Sequence, residues 1–346
     1  MYINIIKSYF PEEILDNKFF EERLDTSDEW ITSRVGIKER RRCKGDQPTL
    51  FLGLNAVRQL PKEALDGVDC IMVGASVTQW HIPATANLIA KELSIDGIPC
   101  FDIKAACSSF VFGLRVIQGL LATGFRKVLF IIPEAYTSVV DYSDRSSAIL
   151  WGDGAAACVV SNEPEGFEVV DLLINSKSSG AYNIVAPIKG YFSQEGSKVQ
   201  NFAVRYSIKS SLEILERNNL SAENVDYLIL HQANLEMMKS IVDNLGMRRN
   251  QLLHNIERYG NTAAAGAASV LAENWDKINP AEKVLITVVG SGLSWGSMLL
   301  KKTSQRRRFR IRIGKVRLKR PDWGRGFELV RKKFPKMLDF KRKKKI

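Results

Sequence analysis

An α/β fold built from two related halves is what this sequence predicts, on three observations. Short apolar runs of strand length alternate with longer helical patterns along residues 49–300, and helices between strands imply parallel pairing through right-handed crossovers. Residues 68–73 (VDCIMV) and 225–230 (VDYLIL) echo one another 157 residues apart, and the strand pattern at 126–132 (RKVLFII) returns at 282–289 (EKVLITVV) after 156. Two correspondences at nearly one offset indicate an internal duplication. The third observation is the stretch 101–121, FDIKAACSSFVFGLRVIQGLL, which runs from a short strand through small residues into an apolar helix.

In chain order, residues 49–65 read as a helix, 68–73 as a buried strand and 83–93 as another helix. Residues 101–121 follow as strand and helix, then the strand at 126–132. Residues 152–160 (GDGAAACVV) make a tight turn and a strand. In the second half, the small-residue helix 261–271 (NTAAAGAASVL) falls where a second copy of the 107–121 helix belongs. Residues 289–295 (VGSGLSW) bring two glycines around Ser291 before a last strand at 295–300. Two halves packed face to face bring the carboxyl ends of their central strands together, where ligands bind in such sheets.

Length and composition set bounds. A chain of 346 residues with 45% apolar content buries a large core. It has no apolar run long enough to cross a bilayer, and residues 1–10 lack a secretory leader, so the cytoplasm is the expected location. The cysteines at 43, 70, 100, 107 and 158 are odd in number and show no metal-ligand spacing, which argues against a disulfide-built secreted protein. The net charge of +12 hides a division: residues 1–300 hold 29 basic and 35 acidic residues, residues 301–346 hold 21 and 3. Electrostatic arguments about partners therefore belong to the tail.

Several residues stand out as candidates for chemistry. Cys107 lies at a strand-to-helix junction, where free backbone N–H groups favour a thiolate and a nucleophilic role; the plainer alternative is an inert core thiol. Trp30 and Arg34 share a helical face and present a ring beside a guanidinium, suited to a nucleotide, or else a Trp covering apolar surface with an Arg passing it. The basic run 38–44 reads as a solvated face. His231 closes the strand at 225–230, and Asn261 opens the small-residue helix after Tyr259 and Gly260.

Together these stretches resemble the ketoacyl-acyl-carrier-protein synthase III family, condensing enzymes of the thiolase type. The matches are DTSDEWITSRVGI, AACSSF at Cys107, DRSSAILWGDGAAA from Asp144, LILHQAN at His231, YGNTAAA at Tyr259 and GSGLSWGS before Lys301, in the family's order over about residues 1–301. The resemblance implies a thiolase-like duplicated fold, two α/β halves in an αβαβα layered arrangement. It assigns residues 1–165 to a half carrying the cysteine, 166–301 to a half carrying His and Asn, and 302–346 to a basic extension. It implies a decarboxylative Claisen condensation of an acyl-CoA primer with malonyl-acyl carrier protein, with Cys107 as acyl acceptor. His231 and Asn261 then support decarboxylation, the N–H groups of Cys107 and Ser291 form the oxyanion hole, and Trp30, Arg34 and Arg145 hold coenzyme A. A homodimer is implied; no metal or separate cofactor is. A specialised polyketide or secondary-metabolite condensing enzyme, or an acyltransferase using malonyl-CoA or another acceptor, is the alternative.

Two stretches depart from the pattern. Glu236, Asp243 and Asn244 stand where the family has basic residues for its acidic carrier, with Lys239, Arg248 and Arg249 as a substitute patch. The tail alternates basic and apolar residues over 308–320 and carries Trp323, Phe327, Phe334 and Phe340. It is expected to dock on an acidic carrier or anionic surface; no nucleic-acid recognition fold is evident.

Overall fold

The computed structural model of the protein describes residues 1–304. Ten strands form one sheet: β1 (Tyr2–Tyr9), β2 (Cys70–Gly74), β3 (Cys100–Ile103), β4 (Lys127–Ala135), β5 (Asp153–Ser161), β6 (Phe167–Ser176), β7 (Tyr227–Leu230), β8 (Leu252–Leu253), β9 (Lys283–Gly290) and β10 (Ser294–Lys302). Their order is β8-β7-β9-β10-β6-β1-β5-β4-β2-β3. Read outward from the β6–β1 junction, the two halves repeat the same sequence of strands. The duplication is thus written in topology, and within the sheet a short pairing of Tyr2–Ile3 with Phe167–Glu168 joins the halves.

The expected parallel pairing holds only in part. β2 is parallel to β3 and β4, and β7 to β8 and β9, but β1, β5, β6 and β10 pair antiparallel. The turn from β9 to β10 spans three residues, too few for the crossover that parallel strands require.

The helices that matter here are α1 (Asp28–Val35), α2 (Pro48–Arg58), α3 (Thr85–Glu92), α4 (Ser109–Ala122), α5 (Gly196–Arg217), α6 (Leu235–Asn244) and α7 (Ala264–Glu273). Alternate residues of one strand enter different cores. Met72, Phe130 and Cys158 pack with Phe110 and Leu114 of α4 and Ala268 of α7, whereas Ile71, Leu129 and Val159 pack with Leu52 and Val57 of α2. Both faces are therefore covered, and α4 with α7 makes the middle layer. This is a thiolase-like duplicated α/β fold.

α5 occupies sequence that carries no clear apolar stripe. It buries Ser207, Ser210 and Ser211 beside Phe202 and Ile214. Its hydroxyls reach the sheet, Ser210 to Ser297 at 2.7 Å and Ser211 to Thr287 at 2.9 Å, so polar letters stand at core positions. The basic run 38–44 also needs correction. Arg40 is fully buried, donating to the Ile149 carbonyl and to Asn17 Oδ1, because strand alternation in Glu39–Arg42 turns it inward. The tail's docking role lies outside the described residues from 305 onward. Among the described residues no helix is long and apolar enough to cross a membrane.

Candidate active site

A cavity of about 620 Å³ opens where the two halves meet, and Cys107, His231, Asn261 and Ser291 all line it. Each arrives by a different local device. Cys107 sits in a single 3₁₀ turn, Ala106–Ser108, feeding α4. Ala106 before it has φ +46°, a conformation unfavourable for an L-residue, which bends the chain sharply at Cys107. Ala263 repeats this at φ +48°, again 157 residues later, in the turn that carries Asn261. The strained corner has been duplicated with the fold.

Asn261 is held on three sides. Its N–H donates to Leu150 O at 2.8 Å, its carbonyl accepts from Gly152 N–H at 3.1 Å, and its Oδ1 accepts from Ala263 N–H at 3.0 Å. With the side-chain oxygen so engaged, the amide nitrogen is the end left to donate elsewhere. Gly152 permits the approach, since a Cβ there would meet Tyr259 O at 2.1 Å.

His231 leaves β7 with its N–H on Thr287 O at 3.0 Å. Burial pulls its imidazole down to about pKa 4, so the ring is neutral at physiological pH, and its Nδ1 has no hydrogen-bond partner among the described residues. Burial acts on Cys107 in the opposite sense to the expectation from its helix end. Desolvation pushes the thiol up, the Glu134 charge adds to this, and only its own backbone N–H works the other way. The balance of these effects holds the Cys107 thiol above the ordinary thiol value.

At Gly290 a Cβ would come within 3.0 Å of the Cys107 and Ser108 nitrogens, so this segment lies directly against the backbone of Cys107. Ser291 turns its hydroxyl away, donating to Ile184 O at 2.8 Å. The wall beyond Cys107 is aromatic: Tyr136 stacks on Trp151 at 4.1 Å, and Phe192 meets Trp151 edge-on at 4.7 Å. Sequence inspection missed this wall, whose members are far apart along the chain.

At the mouth, Trp30 and Arg34 line the cavity. Arg145 does not line it, but its guanidinium lies 4.9 Å from the Trp30 ring centre, with that of Arg34 at 5.9 Å. On α6, Glu236 pairs with Lys239 at 2.7 Å, and Asp243 with Arg249 at 2.8 Å. Two cations of the substitute patch are therefore already neutralised. Among the described residues no group of three or more His, Cys, Asp or Glu is placed to hold a metal ion.

Two family profiles match the chain: 3-oxoacyl-[acyl-carrier-protein] synthase III over residues 101–178 and its C-terminal counterpart over 215–302. The chain is 35% identical over 305 residues to the β-ketoacyl-[acyl-carrier-protein] synthase III of Deinococcus deserti, covering 83% of this chain and 87% of that one. Among solved structures, the β-ketoacyl-[acyl carrier protein] synthase III of Thermus thermophilus superposes with a TM-score of 0.84 at 32% identity, covering 88% of this chain and all of that one. The priming β-ketosynthase of the R1128 polyketide pathway does so with a TM-score of 0.80 at 27% identity, covering 87% and 96%.

Proposed function

The chain belongs to the 3-oxoacyl-[acyl-carrier-protein] synthase III family of thiolase-like condensing enzymes, and from that premise we propose that it joins an acyl-CoA primer to malonyl-acyl carrier protein by decarboxylative Claisen condensation. The observation that carries this is the single cavity lined by Cys107, His231 and Asn261. Those three side chains come from elements 124 and 30 residues apart.

In the first half-reaction Cys107 Sγ attacks the thioester carbonyl. The C–S bond to coenzyme A breaks, and the thiol proton leaves with the departing sulfur as free coenzyme A. Backbone N–H groups of Cys107 and Ser291 meet the tetrahedral oxyanion, and each such donor is worth roughly 3 kcal/mol in a water-poor site. Malonyl thioester then loses carbon dioxide, and its electrons collect as an enolate. A neutral His231 and the Asn261 amide donate to that oxygen without needing a strong base. The enolate carbon attacks the acyl-cysteine, expelling the Cys107 thiolate, which regains a proton. Trp30, Arg34 and Arg145 bind the adenine end of coenzyme A by stacking and charge.

The domain boundaries at 165 and 301 belong to the same reading, supported by the repeated strand order. So does a homodimer, supported by Trp80, at 55% exposure, and Ile82, at 83%, which border one cleft. The five free thiols support a cytoplasmic setting. A second reading, condensation with malonyl-CoA in a specialised pathway, is favoured by the paired charges on α6, which give an acidic carrier little to steer towards.

Intact-protein mass spectrometry after exposure to an acyl-CoA panel tests the proposal. Mass gain on Cys107 identifies the primer, and discharge by malonyl carrier protein or by malonyl-CoA identifies the extender. No acylation with any primer would defeat the assignment.

A further inference from the structure

Arg40 is fully buried, and the chemistry above does not use it. Its Nε donates to the Ile149 carbonyl at 2.8 Å, one terminal nitrogen donates to the same oxygen, and the other donates to Asn17 Oδ1. Asn17, itself buried, keeps that oxygen towards Arg40 because its Nδ2 donates to Asp28 Oδ1 at 2.6 Å and to Ile37 O at 2.9 Å. Both acceptors on the guanidinium are neutral. A buried cation so bonded is a costly way to fill a core, and an apolar side chain of similar length would avoid that cost.

The place that Arg40 reaches relates it to the site. Its stem lies against two glycines: a Cβ at Gly152 would come 3.3 Å from Arg40 Cβ, and one at Gly260 would come 2.8 Å from Arg40 Cγ. Beside those glycines two chain segments cross. Asn261 N–H donates to Leu150 O at 2.8 Å, and Gly152 N–H donates to Asn261 O at 3.1 Å. The guanidinium therefore fixes the residue before Leu150, while the stem backs the residue before Asn261. Ile149, Leu150 and Asn261 all line the cavity.

We propose that Arg40 is a positioning residue for Asn261, its fork holding the Ile149 carbonyl and its stem backing Gly152 and Gly260, so that the crossing presents the Asn261 amide to the cavity in one place. Decarboxylation then depends on Arg40 through Asn261, whereas the reactivity of Cys107 does not. This rests on the role proposed above for Asn261.

Hydrogen exchange reads the crossing without any thioester, and malonyl-CoA reads its consequence. Arg40→Met keeps a long stem and removes every bond of the guanidinium. Deuterium uptake is expected to rise at residues 149–152 and 259–263. Carbon dioxide release from malonyl-CoA falls by about tenfold or more, the scale of a small misplacement of a reacting group, while Cys107 alkylation by iodoacetamide stays within about twofold of the wild type. Val57→Ala, in the α2 core and not lining the cavity, is the comparison for lost stability alone; its carbon dioxide release per folded molecule stays with the wild type. Arg40→Lys keeps charge and stem but lacks the planar fork, so its losses are in the same direction and smaller; it carries the test if Arg40→Met does not fold. Unchanged exchange at 259–263, a fall in carbon dioxide release no greater than that of Val57→Ala, or equal losses of alkylation and carbon dioxide release overturn the proposal. A wild-type protein that takes no acyl group defeats the function proposed above instead, and the exchange comparison still decides whether Arg40 holds the Asn261 turn.

Discussion

Asn234 joins two helices that lie 200 residues apart: its Oδ1 caps α6 through Met237 N–H, and its Nδ2 donates to the Arg34 carbonyl of α1 at 3.0 Å. The Trp30 platform is thereby fixed to the half that carries His231. Asn234→Ala removes both bonds at once. The expected loss is about 1–2 kcal/mol of stability, the usual cost of an N-cap, together with a raised KM for acyl-CoA and little change in the rate of carbon dioxide release. Denaturant unfolding and steady-state kinetics check both parts.

In the proposed mechanism Cys107 and Asn261 divide the labour between the half-reactions. Cys107→Ala abolishes the acyl-enzyme altogether. Asn261→Ala largely spares acylation and lowers decarboxylative turnover by roughly a hundredfold, the cost of one donor to a developing oxyanion. Rapid-quench measurement of the two half-reactions separates them, and equal loss of acylation in both folded variants contradicts the assignment.

The neutral imidazole of His231 sets a pH dependence. With its pKa held near 4 by burial, the ring keeps one state from neutral pH down to about that value, so decarboxylation has no inflection at the ordinary histidine value of about 6.5. Stability behaves differently. Between those two values the unfolded chain binds a proton at His231 that the folded chain does not, so this residue's contribution is present above 6.5 and lost as the pH falls towards 4. A decarboxylation profile inflecting at 6.5 would contradict the neutral ring.

Two guanidinium groups lie within 6 Å of the Trp30 ring centre, at 5.9 Å for Arg34 and 4.9 Å for Arg145, and Arg145 is anchored by donation to Asp25 O at 2.5 Å. Trp30→Ala and Arg145→Ala are each expected to raise the KM for acyl-CoA by about tenfold, in line with an exposed cation–π contact plus stacking of a base on the ring, with Cys107 alkylation unchanged. A KM unmoved for acyl-CoA in both variants removes them from coenzyme binding.

Local order along the chain was enough to reveal the repeated halves, the strand-to-helix corner at Cys107, and the positions of His231 and Asn261 at the edges of apolar elements. These follow from periodicity and small-residue runs, which are properties of neighbours in sequence. The tertiary structure alone decided the rest. Antiparallel β5 and β10, the inward turn of Arg40, and α5 with its buried serines depend on partners supplied by other segments. The aromatic wall exists only in the folded chain, where Phe192 of the second half meets the Tyr136–Trp151 stack of the first. The upward shift of the Cys107 thiol is decided there too, because a thiol's desolvation is set by everything packed around it and here outweighs the backbone N–H at its helix end.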